Sequence, residues 1–236
     1  MPFENKVVVI TGADGNLGRA VAAAFARAGA SLVLVGLHQA QLAEAFGEAH
    51  ANSQQLLIAA DLTQPAGAAD VAAQAVARFG RIDVLCNLAG GFRMGPPVHA
   101  TPAEDWDFLF ALNVGAALHM AQAIVPGMLA QGSGKIVNVG AFAAARGVAA
   151  MGAYTASKSA LARITEAMSG ELREQGINVN CVLPTIIDTP ENRAAMPDAD
   201  PRRWVAPDDL AAAILFLASE QARAIHGASL PVTGLS

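Results

Sequence analysis

The chain has 236 residues, 53% apolar and only 15% charged, with a mean hydropathy of +0.38 and a net charge of −5. That composition excludes a disordered chain, and the acidic balance excludes the basic stripe of a nucleic-acid binder. Cys86 and Cys181 stand far apart in apolar runs, which points to a reducing, cytoplasmic setting rather than a disulfide framework.

Seven short apolar runs read as strands: Val7–Ile10, Leu32–Val35, Leu56–Ala59, Val84–Cys86, Ile136–Val139, Val179–Val182 and Leu230–Val232. Stretches of roughly 12 to 25 residues with helical spacing separate them. Strands this continuously apolar belong in a parallel sheet covered on both faces. The expected fold is therefore α/β: a Rossmann-type, doubly wound parallel sheet of about seven strands, forming one domain over residues 1–236. No uninterrupted apolar stretch reaches the ~18–20 residues of a membrane span, and Met1–Lys6 lacks a signal pattern. Neither a membrane nor a nucleic acid is expected as a partner.

The first strand runs into Thr11-Gly12-Ala13-Asp14-Gly15-Asn16-Leu17-Gly18, with a helix from about Asn16. Glycines spaced three apart between a strand and a helix suit a pyrophosphate. The backbone can approach it closely, and free N–H groups at the helix start point at the anion. The second strand ends Val35-Gly36-Leu37-His38. It supplies neither the acid that would bind a ribose 2′-OH nor a base for a 2′-phosphate. Asp14 would repel a 2′-phosphate, and His38 stands where the ribose is expected, although it equally suits a surface position opening a helix. The cofactor expected is NAD or NADP, with NAD favoured.

Two long alanine-rich helices, about 103–129 and 152–175, have apolar outer faces that suggest a subunit interface. The second carries Tyr154, the only tyrosine, and Lys158. Four residues is about one turn, ~6 Å, so the two side chains share a face. An ammonium beside a phenol favours the phenolate, which suits the phenol to general acid–base work. Pro184 to Pro207 contains five prolines and reads as a flap following strand six.

These pieces together resemble a short-chain dehydrogenase/reductase over essentially the whole chain. The matching stretches are TGADGNLG, Asp61-Leu62, Asn87-Leu88-Ala89-Gly90, Asn113, Tyr154-x-x-x-Lys158, and Pro184 to Thr189. The resemblance implies that Tyr154 is the acid/base and that Lys158 binds the nicotinamide ribose and lowers the phenol pKa. It also implies that Asn113 supports a proton relay. The cofactor would be held by Gly12, Asp14, Gly15, Asn16, Leu17, Gly18, Asp61, Leu62, Asn87, Ala89, Gly90, Pro184, Ile187 and Thr189, besides His38, Tyr154 and Lys158. A homodimer or homotetramer acting on a small molecule is implied as well.

Three positions depart from that pattern. Asn16 stands where the turn usually has glycine, and Leu88 where a second asparagine is usual. Ala141 occupies the place, thirteen residues before the tyrosine, of a serine that ordinarily hydrogen-bonds the substrate oxygen. Removing such a donor typically costs ~10²–10³ in rate. Dihydropteridine reductase, a branch of the family, also lacks this serine. Its Ala-Gly-Gly-aromatic segment is similar to Ala89–Phe92, and its flap to Asp188-Thr189-Pro190-x-Asn192-Arg193-x-x-Met196-Pro197. The sequence thus leads to hydride transfer to a conjugated, dihydropteridine-like substrate. The alternatives are a carbonyl reductase or alcohol dehydrogenase, or a weakly catalytic dinucleotide sensor. Phe92, Ala141 and Met196 are the expected substrate-pocket residues, Trp204 either closes over substrate or anchors the flap, and no metal is expected.

Overall fold

In a computed structural model, which describes residues 1–47 and 53–236, β1 (Val7–Thr11) forms the centre of a sheet. It pairs in parallel with β2 (Ser31–Gly36) on one side and β4 (Val84–Asn87) on the other. With β3 (Gln55–Ala59), β5 (Gly134–Val139), β6 (Ile177–Pro184) and β7 (Ser229–Val232), the order is β3-β2-β1-β4-β5-β6-β7, parallel throughout. The seven expected strands are present, shifted at their ends by one or two residues. The order reverses between β1 and β4. In open parallel sheets, that switch point opens a crevice beyond the strands' carboxyl ends.

Alternation along the strands decides which layer each side chain joins. Val8 and Ile10 of β1 pack with Val21 and Phe25 of α1 (Asn16–Arg27) and Ile214 of α8 (Pro207–Ala218). Val7 and Val9 pack on the opposite face, with Val71 of α3 (Pro65–Phe79) and with Met120, Ile124 and Met128 of α5 (Ala116–Gln131). Each fully buried Leu, Ile or Met contributes roughly 1.5–3 kcal/mol. Both faces are therefore needed to hold the sheet, as its uninterrupted apolar strands imply.

The helix expected over 103–129 is in two parts. α4 (Ala103–Phe110) and α5 are joined by a single π-helical stretch, Ala111–Gly115. A π-helical insertion rotates the side chains that follow it and is common at functional sites; this one carries Asn113. The combined helix Ala103–Gln131 is long and apolar enough to cross a membrane by length and composition, which no unbroken apolar run in the sequence indicated. In the fold its apolar stripe lies against the sheet through Met120, Ile124 and Met128.

The second long helix, α6 (Gly152–Leu172), ends in a 3₁₀ turn, Arg173–Gln175, close to expectation. Between β6 and α8 the proline-rich segment forms α7 (Pro190–Ala195) and a 3₁₀ turn at Pro201–Arg203. An isolated parallel bridge joins Ile187 to Val205. Trp204 and Val205 are buried, so Trp204 anchors the segment rather than closing over a ligand.

Candidate active site

The strand-one turn is shaped for a close ligand. Gly12 has φ +61°, and a β-carbon there would sit 3.1 Å from the Ala89 backbone. At Gly18 a β-carbon would fall 2.2 Å from the Gly12 carbonyl, so α1 can meet β1 this closely only with glycine. The N-cap of α1 is Gly15, and no side chain caps it. Its first N–H groups are left for an anion. Thr11, which the sequence reading passed over, braces the facing turn. Its Oγ1 accepts from the backbone N–H groups of Leu88 and Ala89, each at 3.0 Å.

A cleft of about 830 Å³ runs over this turn. Of the residues expected to hold a cofactor, Gly12, Asp14, Gly15, Asn16, Leu17, Gly18, Asp61, Leu62, Ala89, Gly90, Ile187 and Thr189 line it. Tyr154 and Lys158 lie on α6, off that lining, and three other expected cofactor residues stand elsewhere. His38 is exposed and off the lining; the chain turns away after Leu37 to begin α2 (Gln39–Phe46). Asn87 lies beneath the cleft, its Nδ2 donating to Asn138 Oδ1 at 2.9 Å, while its own Oδ1 is buried without a partner. Pro184 is buried where β6 pairs with Val232 of β7. Met196, expected in the substrate pocket, ends α7 half-buried and off the cleft. Leu37, Glu44, Phe108 and Leu112 line the cleft without having been expected there. Leu37 follows directly on β2, whereas Glu44 of α2, Phe108 of α4 and Leu112 of the π-helical stretch are brought in by packing, and no local motif marks those three.

Tyr154 and Lys158 lie one turn apart on α6. Lys158 is buried and its Nζ donates to the Val139 carbonyl at 2.7 Å. A β-carbon on Gly90 would lie 3.1 Å from that Nζ and 2.9 Å from Asn113 Oδ1, so this glycine lets the cleft wall pass directly over both groups. Burial lowers the Lys158 pKa to about 8, partly offset by Cys181, and raises the Tyr154 phenol to about 12. The expected lowering of the phenol by Lys158 is thus not what this geometry gives. Desolvation of the phenol is the cause.

Asn113 is buried and fully engaged. Its Oδ1 accepts from Gly91 N–H at 2.8 Å, and its Nδ2 donates to the Gly91 carbonyl at 3.1 Å and to Ser157 Oγ at 3.0 Å. Ser157 in turn donates to the Tyr154 carbonyl at 2.8 Å. Asn113 therefore couples the strand-four loop to α6 as a positioning residue. Phe92 meets Tyr154 edge-on, with ring centroids 4.9 Å apart at 83°. Ala141 is buried and extended, just before the 3₁₀ turn Phe142–Ala145. Among the described residues, no group of three or more His, Cys, Asp or Glu is placed to hold a metal.

A doubly wound sheet with a glycine cradle at its switch point, and a tyrosine and a lysine one helical turn apart on α6, is the architecture of a dinucleotide-dependent oxidoreductase. The sequence pattern of the short chain dehydrogenase family matches residues 6–200, and the chain belongs to that family. It is 34% identical to a D-threitol dehydrogenase of Mycolicibacterium smegmatis, over 98% of this chain and 93% of that one. It is also 34% identical to a 2-dehydro-3-deoxy-D-gluconate 5-dehydrogenase of Escherichia coli, over 98% and 95%. Among solved structures, a 3-ketoacyl-(acyl-carrier-protein) reductase from Brucella melitensis complexed with NADH superposes with a TM-score of 0.88 at 30% identity, covering 98% of each chain. An NAD⁺-bound xylitol dehydrogenase gives 0.90 at 27% identity, covering 99% of this chain and all of the other. These relatives support the family, and not the dihydropteridine reductase branch in particular.

Proposed function

We propose that the protein interconverts a secondary alcohol and its ketone with NAD(H), Tyr154 being the proton donor and acceptor. The observation that carries this reading is the buried Lys158 directly behind the cleft-lining Gly90, whose β-carbon would lie 3.1 Å from the ammonium, with Tyr154 one turn away on the same helix. The alcohol and sugar-acid dehydrogenases among the relatives favour this chemistry over a dihydropterin substrate.

The glycine cradle fits a dinucleotide, with Gly12 to Gly18 at the pyrophosphate and Asp61 and Leu62 towards the adenine. Ile187 and Thr189 approach from the flap. When bound, NADH would supply the hydride for the ketone carbon, leaving NAD⁺. Tyr154 Oη gives the substrate oxygen its proton, so the product is the neutral alcohol. Lys158, which donates to the Val139 carbonyl and lies behind Gly90, is the residue that would hold the cofactor ribose. Asn113 keeps the Gly91 backbone and α6 in register while this happens.

Charge in the cleft favours NAD over NADP. Among the described residues, Asp14, Glu44 and Asp61 line it against one cation, Arg19. Asp14 Oδ1 lies against the end of β2, 2.9 Å from where a Gly36 β-carbon would be. A 2′-phosphate there would meet carboxylates. A homo-oligomer fits the half-exposed Phe108 and Phe110 of α4 and Leu129 of α5. The test is Tyr154→Phe: ketone-dependent NADH oxidation should fall by about 10²–10⁴ with NADH affinity unchanged by calorimetry. Full turnover in that variant would remove Tyr154 from the chemistry.

A further inference from the structure

We infer that the substrate is an apolar, flat ketone rather than a polyhydroxylated one, an inference resting on the oxidoreductase reading of Tyr154. Two loops flank α6, the helix that carries Tyr154, one following β4 and one following β5. They are tied together by the Gly95 N–H, which donates to the Ala150 carbonyl at 2.9 Å. Both loops present large apolar side chains outward. Phe92 is 56% exposed, Met94 59%, Val98 57% and Phe142 43%. Phe92 already touches the Tyr154 ring, Val98 packs on Gly152 at the start of α6, and Phe142 adjoins Ala141. An exposed apolar group of this kind around a reactive side chain marks a binding surface.

The polar groups nearby are committed elsewhere. Thr155, Ser157 and Ser159 each donate to a backbone carbonyl, and Asn113 holds Gly91. In the flap, Thr189 caps α7, Asn192 donates to the Ile187 carbonyl, Glu191 accepts from Asn16, and Arg193 pairs with Asp188. Arg93 pairs with Asp105. On the two loops only His99 and Arg146, both exposed, are polar side chains with no partner among the described residues. Neither loop offers a hydroxyl or carboxamide near Tyr154, and Ala141 removes the one that relatives of this family ordinarily place there. On these loops the hydroxyls of a polyol would find only the exposed His99 and Arg146 to replace the water they lose, whereas an aromatic ring would gain contact with Phe92 and Phe142.

The test uses calorimetry on the full chain saturated with NADH, in the Tyr154→Phe background so that turnover does not intervene. A phenyl alkyl ketone and a four-carbon polyhydroxy ketone are each titrated. The phenyl ketone should bind about 100-fold more tightly, the usual discrimination of an apolar pocket against an added hydroxyl. Adding Phe92→Ala, a change at an exposed side chain, should weaken the phenyl ketone about tenfold and leave the polyhydroxy ketone unchanged. Equal or tighter binding of the polyhydroxy ketone, or binding of neither, overturns the inference. Wild-type turnover is measured alongside. Faster reduction of the polyhydroxy ketone would keep the oxidoreductase reading and overturn the substrate class alone. Failure to bind NADH would overturn both.

Discussion

Asn16 Nδ2 donates to Glu191 Oε2 at 2.8 Å, joining the first turn of α1 to the first turn of α7. The bond fastens the proline-rich flap to the rim of the phosphate cradle. It also places a carboxylate, held below its usual pKa by its own backbone N–H, Thr189 and then Asn16, close to where a pyrophosphate would lie. Two substitutions should therefore act in opposite directions. Asn16→Ala leaves Glu191 charged and unfastened and should weaken NADH binding several-fold. Glu191→Gln keeps a hydrogen-bonding partner, removes the charge, and should tighten it. Calorimetric Kd values at low and high salt check this. The two effects should shrink together as salt screens the carboxylate.

Lys158 gives a stability expectation with a defined sign. Its folded pKa is lowered to about 8 by burial, against ~10.4 in the unfolded chain. Between those values the unfolded chain binds more protons, so stability rises with pH from about 8 to about 10.4. Below pH 8 the buried charge costs the fold on the order of 3 kcal/mol. Lys158→Met should accordingly be more stable than the parent at pH 7 by about 2–3 kcal/mol, and the advantage should vanish above pH 10.4. Urea denaturation at pH 7 and pH 10.5 measures it. The same variant should lose turnover, which would mark the charge as kept for function at the expense of stability.

Ala141 sits in extended backbone beside the phenol's loop. Ala141→Ser adds a donor at this buried position. If it reaches the substrate oxygen, kcat for ketone reduction should rise by at least tenfold, towards the ~10²–10³ that one such donor supplies, with KM little changed. Steady-state kinetics on an apolar ketone decide this. An unchanged kcat would mean that this position does not face the reacting oxygen.

Leu37 lines the cleft at the end of β2 and is largely exposed. Leu37→Arg places a guanidinium where the adenosine ribose is expected, facing the Asp14, Glu44 and Asp61 carboxylates. NADPH affinity should rise by about tenfold, one charge-assisted contact, and NADH affinity should hold. Paired fluorescence titrations of the two cofactors provide the comparison.

The sequence alone determined the strands, the glycine cradle and the Tyr154–Lys158 pair. Each is written in local periodicity or short spacing: continuous apolar runs, glycines three apart, two side chains one helical turn apart. What depended on groups distant in sequence was decided only by tertiary structure. The Asn113–Gly91 clasp, the Asn16–Glu191 fastening and the arrival of Phe108 and Leu112 at the cleft all come from elements that meet only when the sheet is wound. The pKa directions belong there too. Spacing puts an ammonium near a phenol, but burial and the Val139 carbonyl decide where that charge is directed. His38 shows the same limit in reverse, since a residue adjoining the expected ribose in sequence is carried off the cleft by the start of α2.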